Sequence, residues 1–311
     1  MEDKFSEGYE LYLRHRPKTF EDILGNDSIV ESLKDSLSKR DRMKRVYLFS
    51  GPSGCGKSTF AEVIGNYLNI HERDFFNYNI SKMRGIDTAR AIIDSCIYAP
   101  FKSDYKLYIL NEAHMATTEF QNAMLDILEK PPKHVIFILC TTEPDKLIAT
   151  IKNRCTPYQV SPLITPQMMT LLKSVCQKEN LEVKPTLLRE INKVSGGSAR
   201  HALVLLEQIS TIKGDETALR IIGDGLVDEA KTIELCRALL KNEGWPTIAG
   251  LLKGLNADPE KVRYSVLGYM NSVLLGKGDS KTANIIATFS ESFINSGKAG
   301  LTLACFLACK R

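Results

Sequence analysis

A glycine-rich segment in the first third of the chain carries the residue types that hold phosphate groups. The spacing G-x-x-x-x-G-K-[ST] occurs within one short segment: Gly51, Pro52, Ser53, Gly54, Cys55, Gly56, Lys57, Ser58 and Thr59. Glycines allow backbone N–H groups to close around phosphates, and the N-terminus of a following helix adds positive potential. Lys57 would reach the β- and γ-phosphates and Ser58 would hold Mg²⁺. The segment (the P-loop) therefore predicts a nucleoside triphosphate site, and a chance glycine turn is the less favoured alternative.

A second group of polar residues follows the apolar run Leu107–Leu110. Asn111 and Glu112 stand where P-loop hydrolases usually carry two acids, the first for the Mg²⁺ shell and the second to orient water. Asn111 is not an acid, whereas Glu112 remains a candidate general base. A strand end with solvated polar residues is the alternative interpretation. His114 has no second ligand at a spacing suited to a metal, so it predicts a polar strand-end residue.

Alternating strands and helices must position these residues. Apolar runs predict strands at 45–50, 75–79, 107–110 and 135–139, and helical spacing of apolar residues predicts helices at 60–68, 86–97 and 120–128. A βαβ series with nearly continuous apolar strands implies a parallel sheet covered on both faces. After about Pro162 only helices are predicted, at 165–180, 185–194, 198–212, 228–241, 246–255, 259–275, 281–295 and 299–309.

This pattern predicts three domains. The first is an α/β nucleotide-binding core at residues 1–162, the second a three-helix lid at 163–224, and the third an all-α C-terminal collar bundle at 225–311. The dipeptide Gly196-Gly197 separates the last two lid helices. Asp258-Pro259-Glu260 predicts a helix start, because an acidic N-cap, a proline in the first turn and a second acid all favour that position.

Composition restricts the class of protein. The 311 residues include 41 Lys+Arg and 37 Asp+Glu, and the net charge of +4 is weak evidence for nucleic-acid binding without support from placement. Hydrophobic residues make up 43%, which is typical of a globular protein, and the apolar runs are shorter than the roughly 18 residues of a membrane span. The polar N-terminal residues predict no export or organelle signal. The eight cysteines form no C-x-x-C pair, so they predict reduced thiols in a cytosolic compartment rather than a zinc site.

The order and spacing of several segments resemble AAA+ sliding-clamp loader subunits, namely bacterial DNA polymerase III gamma/tau subunits and replication factor C small subunits. Besides the P-loop, these segments are YLRHRPKTFEDILG at 12–25, RGIDTARAII at 84–93, NEAHM at 111–115, EKPPKHV at 129–135, TTEP at 141–144, NRC at 153–155 and GSARHALVLLEQ at 197–208. The resemblance covers residues 8–212, and the C-terminal bundle matches only in length and helical character.

The resemblance implies roles for five further residues. Tyr12 and Arg16 would lie near the adenine of ATP. Thr142 would sense the γ-phosphate from the end of a core strand, and Arg200 would bind the same phosphate from the lid. Arg154 would be an arginine finger that reaches the site of a neighbouring subunit, a role suited to its planar, permanently charged fork. ATP and Mg²⁺ are the implied cofactors.

The implied function is that of an ATP-driven subunit that opens a sliding clamp and loads it onto primer–template DNA during replication. Its partners would be other loader subunits in a ring-like oligomer, the sliding clamp and DNA, with no membrane. The location would be the cytoplasm of a bacterial or phage-infected cell. Two alternatives stay open: an ATP-binding scaffold subunit with little hydrolysis, suggested by Asn111, and another AAA+ DNA motor such as a branch-migration helicase.

Two surfaces are candidates for macromolecular contacts. Arg84, Thr88 and Arg90 surround a predicted helix start and would hold DNA phosphates, with a solvated helix face as the alternative. The resemblance suggests that Ile97, Tyr98 and Phe101 contact the clamp, with core packing as the alternative. A basic cluster (Lys39, Arg40, Arg42, Lys44 and Arg45) precedes the first core strand and is interpreted as a helix end and loop.

Three departures from the family pattern bear on these expectations. Asn111 replaces an aspartate, and Asn153 replaces the serine that usually precedes the finger arginine. A cysteine-rich zinc insert is missing between Tyr67 and Phe75. Together with the short chain, the missing insert suggests a trimmed loader such as a phage encodes.

Overall fold

The computed structural model describes residues 10–40, 43–212, 214–255, 257–293 and 296–310, so Arg42 of the basic cluster lies outside the described residues. The chain divides into two compact units, residues 1–211 and residues 212–311. The predicted division at 162/163 and 224/225 stays a prediction. None of the helices within the described ranges combines the length and the apolar composition that a bilayer span needs. All eight cysteines are free, and five of them are buried.

The first unit alternates strands with helices. Its strands are β1 (Val46–Ser50), β2 (Phe75–Asn79), β3 (Lys106–Asn111), β4 (Val135–Thr141) and β5 (Thr156–Gln159). Its α-helices are α1 (Leu11–Arg14), α2 (Asp27–Ser38), α3 (Lys57–Tyr67), α4 (Ile86–Cys96), α5 (Thr118–Ala123), α6 (Leu125–Glu129), α7 (Ala149–Lys152), α8 (Thr165–Lys178), α9 (Pro185–Ser195) and α10 (Ala199–Ser210). Short 3-10 turns occupy Phe20–Asp22, Glu72–Asp74, Ala113–Met115 and Pro144–Lys146.

The strands form one parallel sheet in the order β2-β3-β4-β1-β5. β1 lies inside the sheet, where Leu48 is in register with Leu139 of β4 and with Pro157 of β5. β5 is not predicted by the sequence, because it is short and contains a proline. An edge strand tolerates proline because one side of its backbone forms no ladder bonds.

Helices cover both faces of the sheet, as the continuous apolar strands predicted. On one face, Leu33 of α2 and Ile64 of α3 belong to the same buried cluster as Ile109 of β3. On the other face, α4, α5, α6 and α7 pack against alternate residues of the same strands, with Phe137 among them. The predicted helix at 120–128 is interrupted at Met124, where α5 ends and α6 begins.

The region predicted to be the lid contains α8, α9 and α10, which contact one another. Each helix buries an apolar stripe, represented by Leu172, Ile191 and Leu206. α9 ends at Gly196 in the left-handed conformation, as the predicted Gly196-Gly197 separator requires. The three lid helices therefore occur at the predicted places.

The second unit is a helical bundle. It contains α11 (Asp215–Lys241), α12 (Trp245–Lys253), α13 (Pro259–Lys277), α14 (Ser280–Phe289) and α15 (Gly297–Lys310). Its apolar cluster includes residues such as Leu235, Val266 and Phe289. The predicted cap of α13 is present, because the backbone N–H of Glu260 donates to Asp258 Oδ1 at 2.9 Å. The helix predicted at 228–241 begins earlier, at Asp215, so the predicted boundary at 224/225 falls within a helix.

Candidate nucleotide site

The carboxyl ends of the parallel strands bring the predicted phosphate-binding residues to one edge of the sheet. β1 ends at Ser50 and leads into the P-loop, whose last residues open α3. Asn111 is the last residue of β3, and Thr142 follows β4 directly. This edge is where ligands bind in open parallel sheets, because the loops that follow the strands meet there.

Two glycines of the P-loop adopt conformations that other residues avoid. Gly56 has φ 100° and caps the N-terminus of α3, and a Cβ there would meet no heavy atom within 4 Å. Gly54 has φ 75°, and a Cβ there would lie 2.2 Å from Ser198 Oγ at the start of α10. A side chain at position 54 would therefore have a strained backbone and would displace the Ser198 hydroxyl.

The side chain of Lys57 folds back against the first residues of the P-loop. Its Nζ donates hydrogen bonds to the backbone oxygens of Gly51 at 2.8 Å and Pro52 at 2.7 Å. Burial lowers the pKa of Lys57, while the carboxylate of Glu112 opposes this shift. An ammonium has three N–H donors, so the same group can contact phosphate from this position.

Hydrogen bonds connect the side chains of Ser58, Asn111 and Asn77 in series. The sequence did not predict Asn77 as part of the site. Ser58 Oγ donates to Asn111 Oδ1 at 2.5 Å, and Asn111 Nδ2 donates to Asn77 Oδ1 at 2.6 Å. Mg²⁺ prefers oxygen ligands and usually takes few of them from the protein when phosphates supply the others. The two oxygens of Ser58 and Asn111 fit that donor set. Within the described ranges, no three His, Cys, Asp or Glu side chains come together as metal ligands.

Glu112 has a strained backbone. Its φ and ψ of 54° and 43° lie in the left-handed region, which is uncommon for a residue with a side chain. Its carboxylate lies 3.6 Å from His114 Nδ1, and His114 Nε2 lies 3.4 Å from Glu143 Oε1. His114 Nδ1 is also 3.1 Å from Thr141 Oγ1. The predicted base therefore stands beside Asn111 in a network of side chains at the ends of β3 and β4.

An open cleft lies beside the P-loop, and its lining includes Tyr12, Arg16 and Arg200. Arg16 donates to Thr59 Oγ1 at 3.3 Å and pairs with Glu62 at 2.8 Å. Burial lowers the pKa of Arg16. The guanidinium of Arg200 lies 5.4 Å from the centre of the Tyr12 ring, a cation–π contact. The cleft thus brings together seven of the predicted nucleotide residues: Tyr12, Arg16, Gly54, Cys55, Gly56, Thr59 and Arg200.

Arg154 does not line that cleft. Its Nε donates to Glu129 Oε2 at 3.1 Å, its Nη1 donates to the backbone oxygen of Thr150 at 2.9 Å, and its Nη2 also contacts Glu129. It lines a different pocket, together with Arg45 and Asn153. The Glu129 contact was not predicted, and the finger role stays a prediction.

The predicted DNA residues stand at the start of α4. The side chains of Arg84 and Arg90 are exposed, and Thr88 is half-buried in the first turn. Arg90 pairs with Asp87 at 3.5 Å. Their contact with DNA stays a prediction.

Comparisons with known proteins reveal relatives of this chain. The family described as DNA polymerase III, delta subunit matches residues 69–164, and the Rad17 P-loop domain matches residues 2–115. DNA polymerase III subunit gamma/tau of Mycobacterium tuberculosis is 33% identical over 222 residues, which cover 64% of this chain and 38% of that protein. Subunit tau of Bacillus subtilis is 31% identical over 295 residues, which cover 86% of this chain and 52% of that protein. The chain is related to the gamma and tau subunits of DNA polymerase III.

The resemblance of this chain to gamma/tau subunits, which the sequence predicted, is therefore confirmed. Subunit gamma of Buchnera aphidicola is 28% identical over 84% of this chain and 80% of its own length. The fold resembles the Thermotoga maritima RuvB Holliday junction branch migration motor, with a TM-score of 0.59 and 18% identity over 78% of this chain and 86% of that one. The predicted α/β P-loop fold, with a parallel sheet covered by helices on both faces, is thus confirmed as well. This chain covers only 38% of the length of its Mycobacterium relative and 52% of the length of its Bacillus relative.

Proposed function

We propose that the chain is an ATP-hydrolysing subunit of a clamp loader, which opens a sliding clamp and loads it onto primer–template DNA. The observation that carries this proposal is the assembly of Lys57, Ser58 and Asn111 at the carboxyl edge of the sheet, in a chain related to DNA polymerase III subunits. The P-loop supports ATP binding. The similarity to DNA polymerase III subunits supports a role in DNA replication.

Each residue of the site has a distinct task in the proposed reaction. Lys57 would contact the β- and γ-phosphates, and Ser58 and Asn111 would hold Mg²⁺. Mg²⁺ held there would supply positive charge that offsets the negative charge developing on the phosphates. Glu112 orients the attacking water and accepts its proton. Thr142 and Arg200 contact the γ-phosphate from the same chain, and Arg154 contacts the γ-phosphate of a neighbouring subunit.

Loss of the γ-phosphate changes how the lid is held. Arg200 stands on α10, the helix whose start contacts Gly54 of the P-loop. A γ-phosphate bound by Arg200 would compete with the ring of Tyr12 for the same guanidinium. Hydrolysis would remove contacts that join the lid to the core and one subunit to the next, so the assembly would loosen and release the clamp.

The clamp would contact an exposed apolar patch at the end of α4 and in the loop that follows. Ile97, Tyr98 and Phe101 have 73%, 70% and 64% of their surface exposed. Core packing, the alternative interpretation of these three residues, is therefore wrong. A cluster of exposed apolar side chains marks a candidate protein-binding surface.

The buried carboxylate of Asp74 fixes the loop that carries Phe101. Backbone N–H groups of Phe101, Lys102 and Ser103 donate to Asp74 at 2.6, 3.0 and 3.0 Å. Burial alone would raise the pKa of Asp74, but these hydrogen bonds outweigh it and the pKa is lowered. The loop is therefore ordered before any partner binds.

Replacing Asp74 by asparagine is expected to lower the free energy of unfolding by about 2–3 kcal/mol at pH 7, because hydrogen bonds to a charge are lost. A lowered pKa stabilises the folded state above the unfolded-state pKa of about 4, and this gain is lost as pH falls through the folded-state pKa. The difference between the two proteins should therefore shrink below about pH 4. Urea unfolding across pH measures it. Asp104→Asn, which alters an exposed carboxylate paired with Arg40, is the matched control and should cost under about 1 kcal/mol.

Replacing Asn111 by aspartate is expected to lower the Mg²⁺ concentration for half-maximal ATP hydrolysis about 10-fold and to raise the basal rate. The added carboxylate attracts the ion directly, and changes of this kind typically alter metal affinity 10–100-fold. ATPase rates against Mg²⁺ concentration measure the effect. Glu112→Gln is the contrasting variant: it should reduce turnover about 10²–10⁴-fold without moving the Mg²⁺ midpoint. Superimposable Mg²⁺ curves for the unmodified chain and Asn111→Asp would contradict a metal-facing role.

Reconstitution with a candidate clamp and primer–template DNA tests the function itself. The expected result is co-purification with the clamp in the presence of ATP, a defined subunit number by native mass, and ATPase stimulation by clamp and DNA. Binding of ATP without turnover in the assembled complex would favour the scaffold alternative, which Asn111 motivates. Unwinding of forked DNA without a clamp would favour another motor.

A further inference from the structure

Asn77 on β2 lies beside Asn111, the residue that replaces the aspartate of the family pattern. Asn79 is in register with Asn111 on β3, and side chains alternate between the faces of a sheet. Asn77, two residues before Asn79, therefore shares a face with Asn111. It accepts the Asn111 Nδ2 hydrogen bond at 2.6 Å, while Asn111 Oδ1 accepts from Ser58 Oγ at 2.5 Å.

We propose that Asn77 is a positioning residue that turns the amide oxygen of Asn111 toward the Mg²⁺ site, an inference that rests on the proposed ATPase function. An amide has an acceptor end and a donor end. If the amide were reversed, its two N–H donors would face Ser58 and repel the cation. The carbonyl oxygen of Asn77 favours the productive orientation, because it offers the NH₂ group a partner on the opposite side.

An aspartate at position 111 would not need this help. Both oxygens of a carboxylate are acceptors, so either orientation presents an oxygen to the metal. Beside a carboxylate, Asn77 would therefore not select which atom faces the metal. Asn77 and Asn111 are therefore a matched pair in this chain, and the value of an acceptor at position 77 depends on the residue at position 111.

Two substitutions at position 77 separate orientation from structure. Asn77 is exposed, so both should fold. Asn77→Asp makes the residue an acceptor only and should lower the Mg²⁺ concentration for half-maximal binding of a fluorescent ATP analogue about 3-fold. Asn77→Leu removes the acceptor and should raise it about 10-fold, the lower end of the range for outer-shell changes. Equilibrium binding needs no turnover, and ATPase rates provide a second readout.

The decisive test is the change Asn77→Leu in a second background. In Asn111→Asp it removes an acceptor that a carboxylate does not use. We expect it to raise the Mg²⁺ concentration for half-maximal binding by less than about 2-fold there, against about 10-fold in the unmodified chain, so the effects of the two substitutions should not be additive.

Asn79→Asp is the matched charge control. Asn79 Oδ1 accepts from the N–H of Ser81 at 3.1 Å and from its hydroxyl at 2.7 Å, and an aspartate can keep both bonds. It adds the same charge to the same strand face without bonding the Asn111 amide. A Mg²⁺ shift as large for Asn79→Asp as for Asn77→Asp, or an equal effect of Asn77→Leu in both backgrounds, would overturn the proposal. Failure of the unmodified chain to bind ATP at any Mg²⁺ concentration would instead overturn the proposed function, and with it this inference.

Discussion

Lys57→Ala is expected to weaken ATP binding by roughly 100-fold or more. Each hydrogen bond to a charged group contributes about 1.5–3 kcal/mol, and each 1.4 kcal/mol is a factor of ten in affinity. Lys57 would supply such bonds to the β- and γ-phosphates. Its two contacts in the structure are to carbonyl oxygens of the loop itself, so its loss should leave the fold intact.

Titration with a fluorescent ATP analogue, beside thermal unfolding of the same samples, measures this prediction. Lys173→Ala, which removes an exposed lysine from α8, is the matched control and should change neither quantity. Unchanged ATP affinity in Lys57→Ala would show that the phosphate site is assigned to the wrong loop. A large fall in melting temperature would show that the lysine acts on the fold.

Arg154→Ala is expected to leave ATP binding by the isolated chain nearly unchanged and to reduce turnover in the assembled complex about 10³–10⁵-fold. That is the usual effect of removing an arginine finger in phosphoryl transfer. In mixed assemblies the variant should silence the site of its neighbour rather than its own. A defect confined to the variant's own site would contradict action between subunits.

The contact between Arg154 and Glu129 provides the control for this experiment. A partly exposed ion pair contributes about 0–1 kcal/mol to stability, so its loss alone cannot produce the expected fall in rate. Glu129→Gln removes the charge that holds Arg154 within its own chain. If Arg154 served only that ion pair, Glu129→Gln and Arg154→Ala would have equal effects on turnover. We expect the arginine variant to lose far more.

The sequence was sufficient to predict the strands that are buried on both faces, because continuous apolar runs have few other interpretations. β5 was missed because Thr156–Gln159 is short, half-exposed and contains Pro157, so neither composition nor length favours a strand. The start of α11 was missed because the predicted C-terminal bundle began only near Gly225. The backbone is nevertheless helical from Asp215, since propensity is only a weak guide to the final structure.

The candidate site also combines residues that the sequence predicts with contacts that it does not. The P-loop, Asn111 and Glu112 could be predicted because consecutive residues define the motif. Asn77 could not, because its contact with Asn111 depends on the register between β2 and β3, which a single strand does not specify. The alternation of polar Asn77 and Asn79 with apolar Tyr78 was the available signal. The Arg154–Glu129 pair depends in turn on the packing of α6 beside α7.

The position of β1 between β4 and β5 has a consequence for how this chain folds during synthesis. β1 carries the P-loop, but Leu48 acquires its neighbours only when Leu139 and Pro157 have been made. At bacterial-type elongation rates of about 5–20 residues per second, this delay is on the order of ten seconds. Throughout that interval the apolar side chains of β1 lack their partner strands and can associate with other chains. Nascent chains that end before β5 should therefore require chaperones, and the nucleotide site should be among the last parts of the first unit to form.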